Sequence, residues 1–109
     1  MSFQHPVAQT EFFQDLTAFA LDLCRKGIPV TSVHFDYGSF GNWTIMFLCA
    51  SEQRKVQYEA RDGEVFLSVW VPTTPVGSYR DIDGIRIDSA NHKTSIAKAY
   101  ELLTKHQWA

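Results

Sequence analysis

His34, Glu59 and Arg61 have the strongest claim to chemistry in this sequence, with Asp36 and Tyr37 close by in the chain. A carboxylate, an imidazole and a guanidinium on one surface could serve as general base, general acid and oxyanion stabiliser in phosphodiester cleavage. The same three residues also make an ordinary solvated, salt-bridged face, and that is the preferred reading. Asp81-Ile82-Asp83-Gly84, with Asp88, brings three carboxylates together. A calcium loop needs oxygen ligands at set spacing, closed by a bidentate Glu. Neither is present, so an Asx-type turn ahead of a short strand is expected. Gly38-Ser39-Phe40-Gly41 has the glycines of a phosphate loop but lacks the following helix and the Lys-Ser/Thr pair. Phe40 in that turn is either a lid on the core or an exposed anchor. His5, His34, His92 and His106 show no ligand spacing, so no metal and no cofactor are expected. Cys24 and Cys49 fall at apolar positions of predicted elements and read as buried free thiols. Burial without a basic neighbour would leave both unreactive.

The elements that must position these residues are legible from periodicity. Phe12, Leu16, Phe19 and Leu23 recur at helical spacing over 9–26, with Phe13, Ala20 and Cys24 widening the apolar stripe. Arg25 and Lys26 suit the last turn, Gly27 a stop, and Pro29 prevents continuation. Strands follow over 32–37, 43–50, 55–61 and 64–71. Asp62-Gly63 is the strongest hairpin signal, because a two-residue type I′ turn needs positive φ at both positions. Residues 72–90 form a long connection in which Ile85 and Ile87 can make a short fifth strand at 85–87. A second helix begins at 91 or 94 and runs to 106. It buries Ile96, Ala99, Tyr100 and Leu103 and pairs Glu101 with Lys105 outside.

The Asp62-Gly63 turn sets Arg61 against Glu64, Ala60 against Val65, Tyr58 against Leu67 and Val56 against Val69. A four-residue loop at 51–54 then places Cys49 beside Val56, Phe47 beside Tyr58 and Ile45 beside Ala60. Matching apolar sides adds Phe35 to Ile45, Val33 to Phe47 and Thr31 to Cys49, which completes an inner face. The outer face follows from the side-chain period of two. Its rows read Asp36–Thr44–Arg61–Glu64, His34–Met46–Glu59–Phe66, Ser32–Leu48–Gln57–Ser68 and Val30–Ala50–Lys55–Trp70. Four strands at about 4.8 Å spacing are roughly 19 Å wide, which two helices of about 10 Å cover on one side only. Met46, Leu48, Phe66 and Trp70 are therefore expected on a face that is wet or meets a partner.

At 109 residues, with 45% hydrophobic and 14% aromatic residues, the chain suits one domain spanning 1–109. The expected fold is α+β: an N-terminal helix, a four-stranded antiparallel meander and a C-terminal helix, with both helices on one sheet face. This outline resembles that of small microbial ribonucleases and ribosome-dependent toxins, without a matching motif. A net charge of −2 and a pI near 6.0 give no footprint for nucleic acid or anionic membrane. No apolar run approaches a membrane span or a secretory leader, so the expected location is cytoplasmic. The leading expectation is a non-enzymatic protein-binding module of the small bacterial immunity-protein, inhibitor or chaperone type. It would bind another protein, or a second copy of itself, through the outer face and the 79–88 loop. Met46, Leu48, Phe66, Trp70, Tyr79, Asp81 and Asp83 are the expected contacts, since binding energy concentrates on large desolvated side chains. The alternatives are a small nuclease using His34, Glu59 and Arg61, and a homodimer formed through edge strand 1 or 4 or the outer face.

Overall fold

The computed structural model describes residues 6–36, 42–61, 64–87 and 92–108. Helix α1 (Pro6–Arg25) leads into strands β1 (Val30–Asp36), β2 (Asn42–Cys49), β3 (Glu52–Arg61), β4 (Glu64–Thr73) and β5 (Ser78–Ile87), and helix α2 (His92–Lys105) follows. The strands form one antiparallel sheet in the order β1-β2-β3-β4-β5. The fold is α+β, as the periodicities predict, with five full strands instead of four. Residues 78–87, expected as loop with a strand only at 85–87, pair with β4 along their whole length. Pro72 does not end β4; it lies opposite Tyr79 near the end of the hairpin. The missed strand carries Asp81, Asp83 and Gly84, residues depleted in strands, so local propensity concealed what cross-strand pairing imposes.

Both helices end alike. Gly27 at φ 85° and Gln107 at φ 61° are left-handed. In each case the next residue's N–H returns to a carbonyl five residues back: Ile28 to Leu23 at 3.0 Å and Trp108 to Leu103 at 2.7 Å. This is the Schellman arrangement, which satisfies orphan carbonyls and folds an apolar side chain back onto the helix. Trp108 is thereby buried, with its ring edge-on to Phe47 at 5.7 Å and the Arg54 guanidinium 4.7 Å above it.

The β3–β4 register is the predicted one throughout. The other two hairpins slide. Ala50 and Ser51, at φ 54° and 65°, make a two-residue turn, so Val56 lies opposite Ile45 instead of Cys49, and Tyr58 opposite Trp43 instead of Phe47. In the first hairpin Phe35 lies opposite Trp43 and Val33 opposite Ile45. Both slides are by an even number of residues, so each side chain keeps its face. Val30 is the exception: a bulge between Val30 and Ser32 turns it to the core, opposite Phe47, and off the predicted outer row.

The inner face is dry. Trp43, Ile45, Phe47, Val56, Tyr58, Leu67 and Val69 are buried against Phe12, Leu16, Phe19 and Leu23 of α1 and Ala99, Leu102 and Leu103 of α2. The indole of Trp43 stacks on Tyr58 (6.0 Å, 5°), meets Phe19 edge-on at 5.9 Å and donates its N–H to the buried Ser95 hydroxyl at 3.3 Å. Tyr100 donates its phenol to Asp22 at 2.5 Å, joining the helices. Burial and this carboxylate raise the Tyr100 pKa, while the phenol, chiefly, lowers that of Asp22. Phe13 and Cys24, expected within the α1 stripe, are exposed. Lys105 does not pair with Glu101, which instead bonds Lys98 at 3.1 Å.

Ser95→Ala should lower stability by about 1–3 kcal/mol in urea unfolding, because a buried indole N–H loses its acceptor. Gln107→Gly should raise it by about 1 kcal/mol, since glycine takes the left-handed cap without a Cβ penalty.

Candidate functional site

The outer face of the sheet holds most of the residues that the sequence singles out. Its central row reads Ser32–Met46–Lys55–Trp70–Asp81, and the next reads His34–Thr44–Gln57–Ser68–Gly84. Glu59, Phe66 and Arg86 continue it. Met46, Leu48, Phe66 and Trp70 are all half-buried by their neighbours on the same face. Both helices pack on the other side, so no described element lies over these four.

Trp70 is fixed in place. Its indole N–H donates to Ser68 Oγ at 2.8 Å, and Lys55 Nζ lies 4.7 Å from its ring centroid. The same ammonium lies 5.0 Å from the Tyr79 ring, so one cation bridges two aromatic faces. Such contacts contribute about 0.5–1 kcal/mol each at exposed sites. Tyr79 takes part because it belongs to a strand and not to a loop. Met46 Sδ accepts a 3.6 Å bond from Gln53 Nε2. Beside Trp70 runs a groove of about 380 Å³ lined by Gln57, Glu59, Phe66, Ser68, Asp81 and Gly84. Gly84 lines it, and a Cβ there would sit 3.3 Å from the Leu67 carbonyl oxygen.

Asp83 lies elsewhere. It sits opposite Val69 on the helix side, accepting bonds from Lys105 Nζ at 2.7 Å, His106 Nε2 at 2.8 Å and the Gly84 N–H at 2.8 Å. A bulge opposite Val69 and Trp70 separates it from Asp81, which stays on the outer face. The expected Asx-type turn is thus an aspartate inside a strand, bonding the next residue's N–H and tying β5 to the end of α2.

His34 and Glu59 line a separate recess of about 180 Å³ with Asn42, Thr44 and Gln57. Arg61 pairs with Glu64 through the backbone, and its side chain is outside the described residues, as are residues 37–41, with Tyr37 and Phe40, residues 62–63 and Asp88. Among the described residues no group of three or more His, Cys, Asp or Glu side chains could hold a metal ion. Cys49 is only half-buried, and contrary to expectation it has a basic neighbour: Arg54 Nη1 lies 3.2 Å from its sulfur. Among the described residues no helix is long and apolar enough to cross a membrane.

Sequence reasoning set Lys55 beside Trp70 but missed its contact with both rings, Tyr79 as the second aromatic partner and Gly84 as groove lining. The register of β5 brings Tyr79 and Gly84 to this face.

Asp83 titrates at about 2, held down by the Lys105 and His106 bonds. Its unfolded value is near 3.9, so the stability it contributes is present above that pH and is lost as pH falls toward 2. Asp83→Asn should therefore lower the urea midpoint at pH 6 and flatten its decline between pH 5 and 2, measured by tryptophan fluorescence. No family model matches the chain, and neither a curated protein nor a solved structure does.

Proposed function

We propose that this protein is a non-enzymatic binding module whose outer sheet face docks another protein. The observation that supports this most is the pre-formed Trp70 groove. An indole locked by Ser68 and Lys55 stands beside a 380 Å³ trough, on a face that no described element covers. An aromatic held in one rotamer loses little entropy on binding, which favours it as an anchor. Phe66, Met46 and Leu48 extend the apolar centre, and Asp81 supplies an exposed carboxylate on its rim. A partner surface that inserts an apolar side chain beside Trp70 and offers a cation to Asp81 fits this layout. Binding-only proteins of this size and charge include immunity proteins, inhibitors and chaperones.

A photo-crosslinking residue at Ser68 should capture one discrete protein in cells that naturally express the chain. The same residue at Ala97, exposed on α2, should capture none. Trp70→Ala should abolish the Ser68 adduct while leaving the circular dichroism spectrum unchanged. Identical adducts from positions 68 and 97, or none from 68, would overturn the reading.

A further inference from the structure

We infer that the chain self-associates through β1 and the adjoining flank of α1, forming a two-fold dimer whose sheet runs continuously through ten strands. The surface is separate from the outer face, so this inference does not depend on the partner proposed for that face.

Three of the four large apolar residues most exposed among those described lie on this side: Phe13 at 41%, Leu21 at 50% and Val33 at 44%. Helical geometry explains the grouping. At 100° per residue, Phe13, Thr17, Leu21 and Cys24 fall within one quadrant of α1. The buried stripe of Phe12, Leu16, Phe19 and Leu23 lies to one side of that quadrant. Asp15 and Asp22, which bond Lys93 and Tyr100 of α2, lie roughly opposite it. The quadrant therefore points away from α2 and out past β1. Phe13 meets Phe35 of β1 edge-on at 4.4 Å, which joins the helix flank to the strand.

The two sheet edges contrast. β5 carries Arg80, Asp81, Asp83 and Arg86 and a bulge, which are the devices that discourage edge pairing. β1 contains no Lys, Arg or Glu, and its bulge is confined to the start, leaving 32–36 in regular register. The fifth strand also widens the sheet to about 24 Å, while two helices cover about 20 Å. With α2 packed on β4 and β5 and α1 on β1, the margin left open is the free edge of β1 and the α1 flank that faces away from α2.

A second copy fits that margin. Antiparallel pairing of 32–36 with itself, centred on His34, sets Val33 of each copy against Phe35 of the other. Each Val33 then enters the Phe12–Phe13–Phe35 cluster, whose rings are already 5.8 and 4.4 Å apart. Position 36 meets position 32 of the other copy, and position 34 meets itself. Since α1 lies over β1 and β2, where Phe12 touches Phe35 and Phe19 touches Trp43, the two α1 helices come within about 10 Å, a normal packing distance. Five paired strand residues give a flank about 17 Å long, and strand plus helix make it about 20 Å high. That is about 340 Å² per copy and about 700 Å² in total, the size of a weak, concentration-dependent contact.

Sedimentation equilibrium of the full chain should show a concentration-dependent mass rising toward twice 12.4 kDa. Val33→Lys and Leu21→Lys should each weaken association at least tenfold. Both sites are exposed, so folding should persist, as circular dichroism would verify. In a Cys24→Ser background, Val33→Cys should give a covalent dimer with a short bismaleimide, and Val76→Cys at the fully exposed β4–β5 turn should not. A chain that stays monomeric at about millimolar concentration would overturn the inference. So would a dimer unchanged by both lysines, or one dissolved by Trp70→Ala instead.

Discussion

A buried indole N–H must find an acceptor or lower the stability of the fold by a substantial fraction, and Trp43 finds its acceptor across 52 positions of sequence, on Ser95. That bond fixes where α2 sits over the sheet. The faces of the same ring fix the rest, with Tyr58 stacked beside it on β3 and Phe19 edge-on from α1. One side chain thus ties together sheet and both helices. Because a hydrogen bond is directional and a ring stack nearly so, α2 has little freedom to rotate or slide. The Asp83 clamp on Lys105 and His106 and the Asp22–Tyr100 bond act at the helix margins, where water competes, and refine a position that Trp43 has already set.

With the helices held on one side, the sheet becomes two surfaces with different physics. The inner one excludes water so completely that seven of its large side chains are at most 2% exposed. The outer one leaves its large side chains half-covered by each other. Lys55 lies across Trp70 and Tyr79, sheltering aromatic area with an alkyl stem and keeping its charge in water. Such a surface keeps its aromatics half-covered while the charge beside them stays in water.

How much of this was legible in the residues themselves follows from what kind of signal each feature leaves. The Phe12, Leu16, Phe19 and Leu23 stripe, the β3–β4 register and the parity of β2, β3 and β4 leave local signals, and the structure has them; Phe13 and Cys24, which the same periodicity adds to the stripe, it leaves exposed. The two-residue turn at Ala50-Ser51 leaves none, since neither residue favours positive φ. The side-chain faces survived that slip only because the period-two pattern forbids odd shifts wherever one side is dry. β5 was read mostly as loop because Asp81, Asp83 and Gly84 are poor strand formers. They are tolerated because β4 supplies the pairing and the end of α2 supplies the Lys105 ammonium to Asp83.

Alternation and turn chemistry, then, determine from the sequence alone that this chain makes helix, antiparallel sheet and helix, and which side chains share a face. Tertiary structure decides the rest. It sends Asp83 to the helix side and Asp81 to the other, because a single bulge inverts parity midway along β5. It leaves Phe13 and Leu21 outside because they lie on the flank of α1 that faces away from α2, beside the free edge of β1. It folds Trp108 into the core because a left-handed cap turns the chain back on itself. Each outcome depends on contacts between residues far apart in the chain, and periodicity carries no record of which distant element will supply the neighbour.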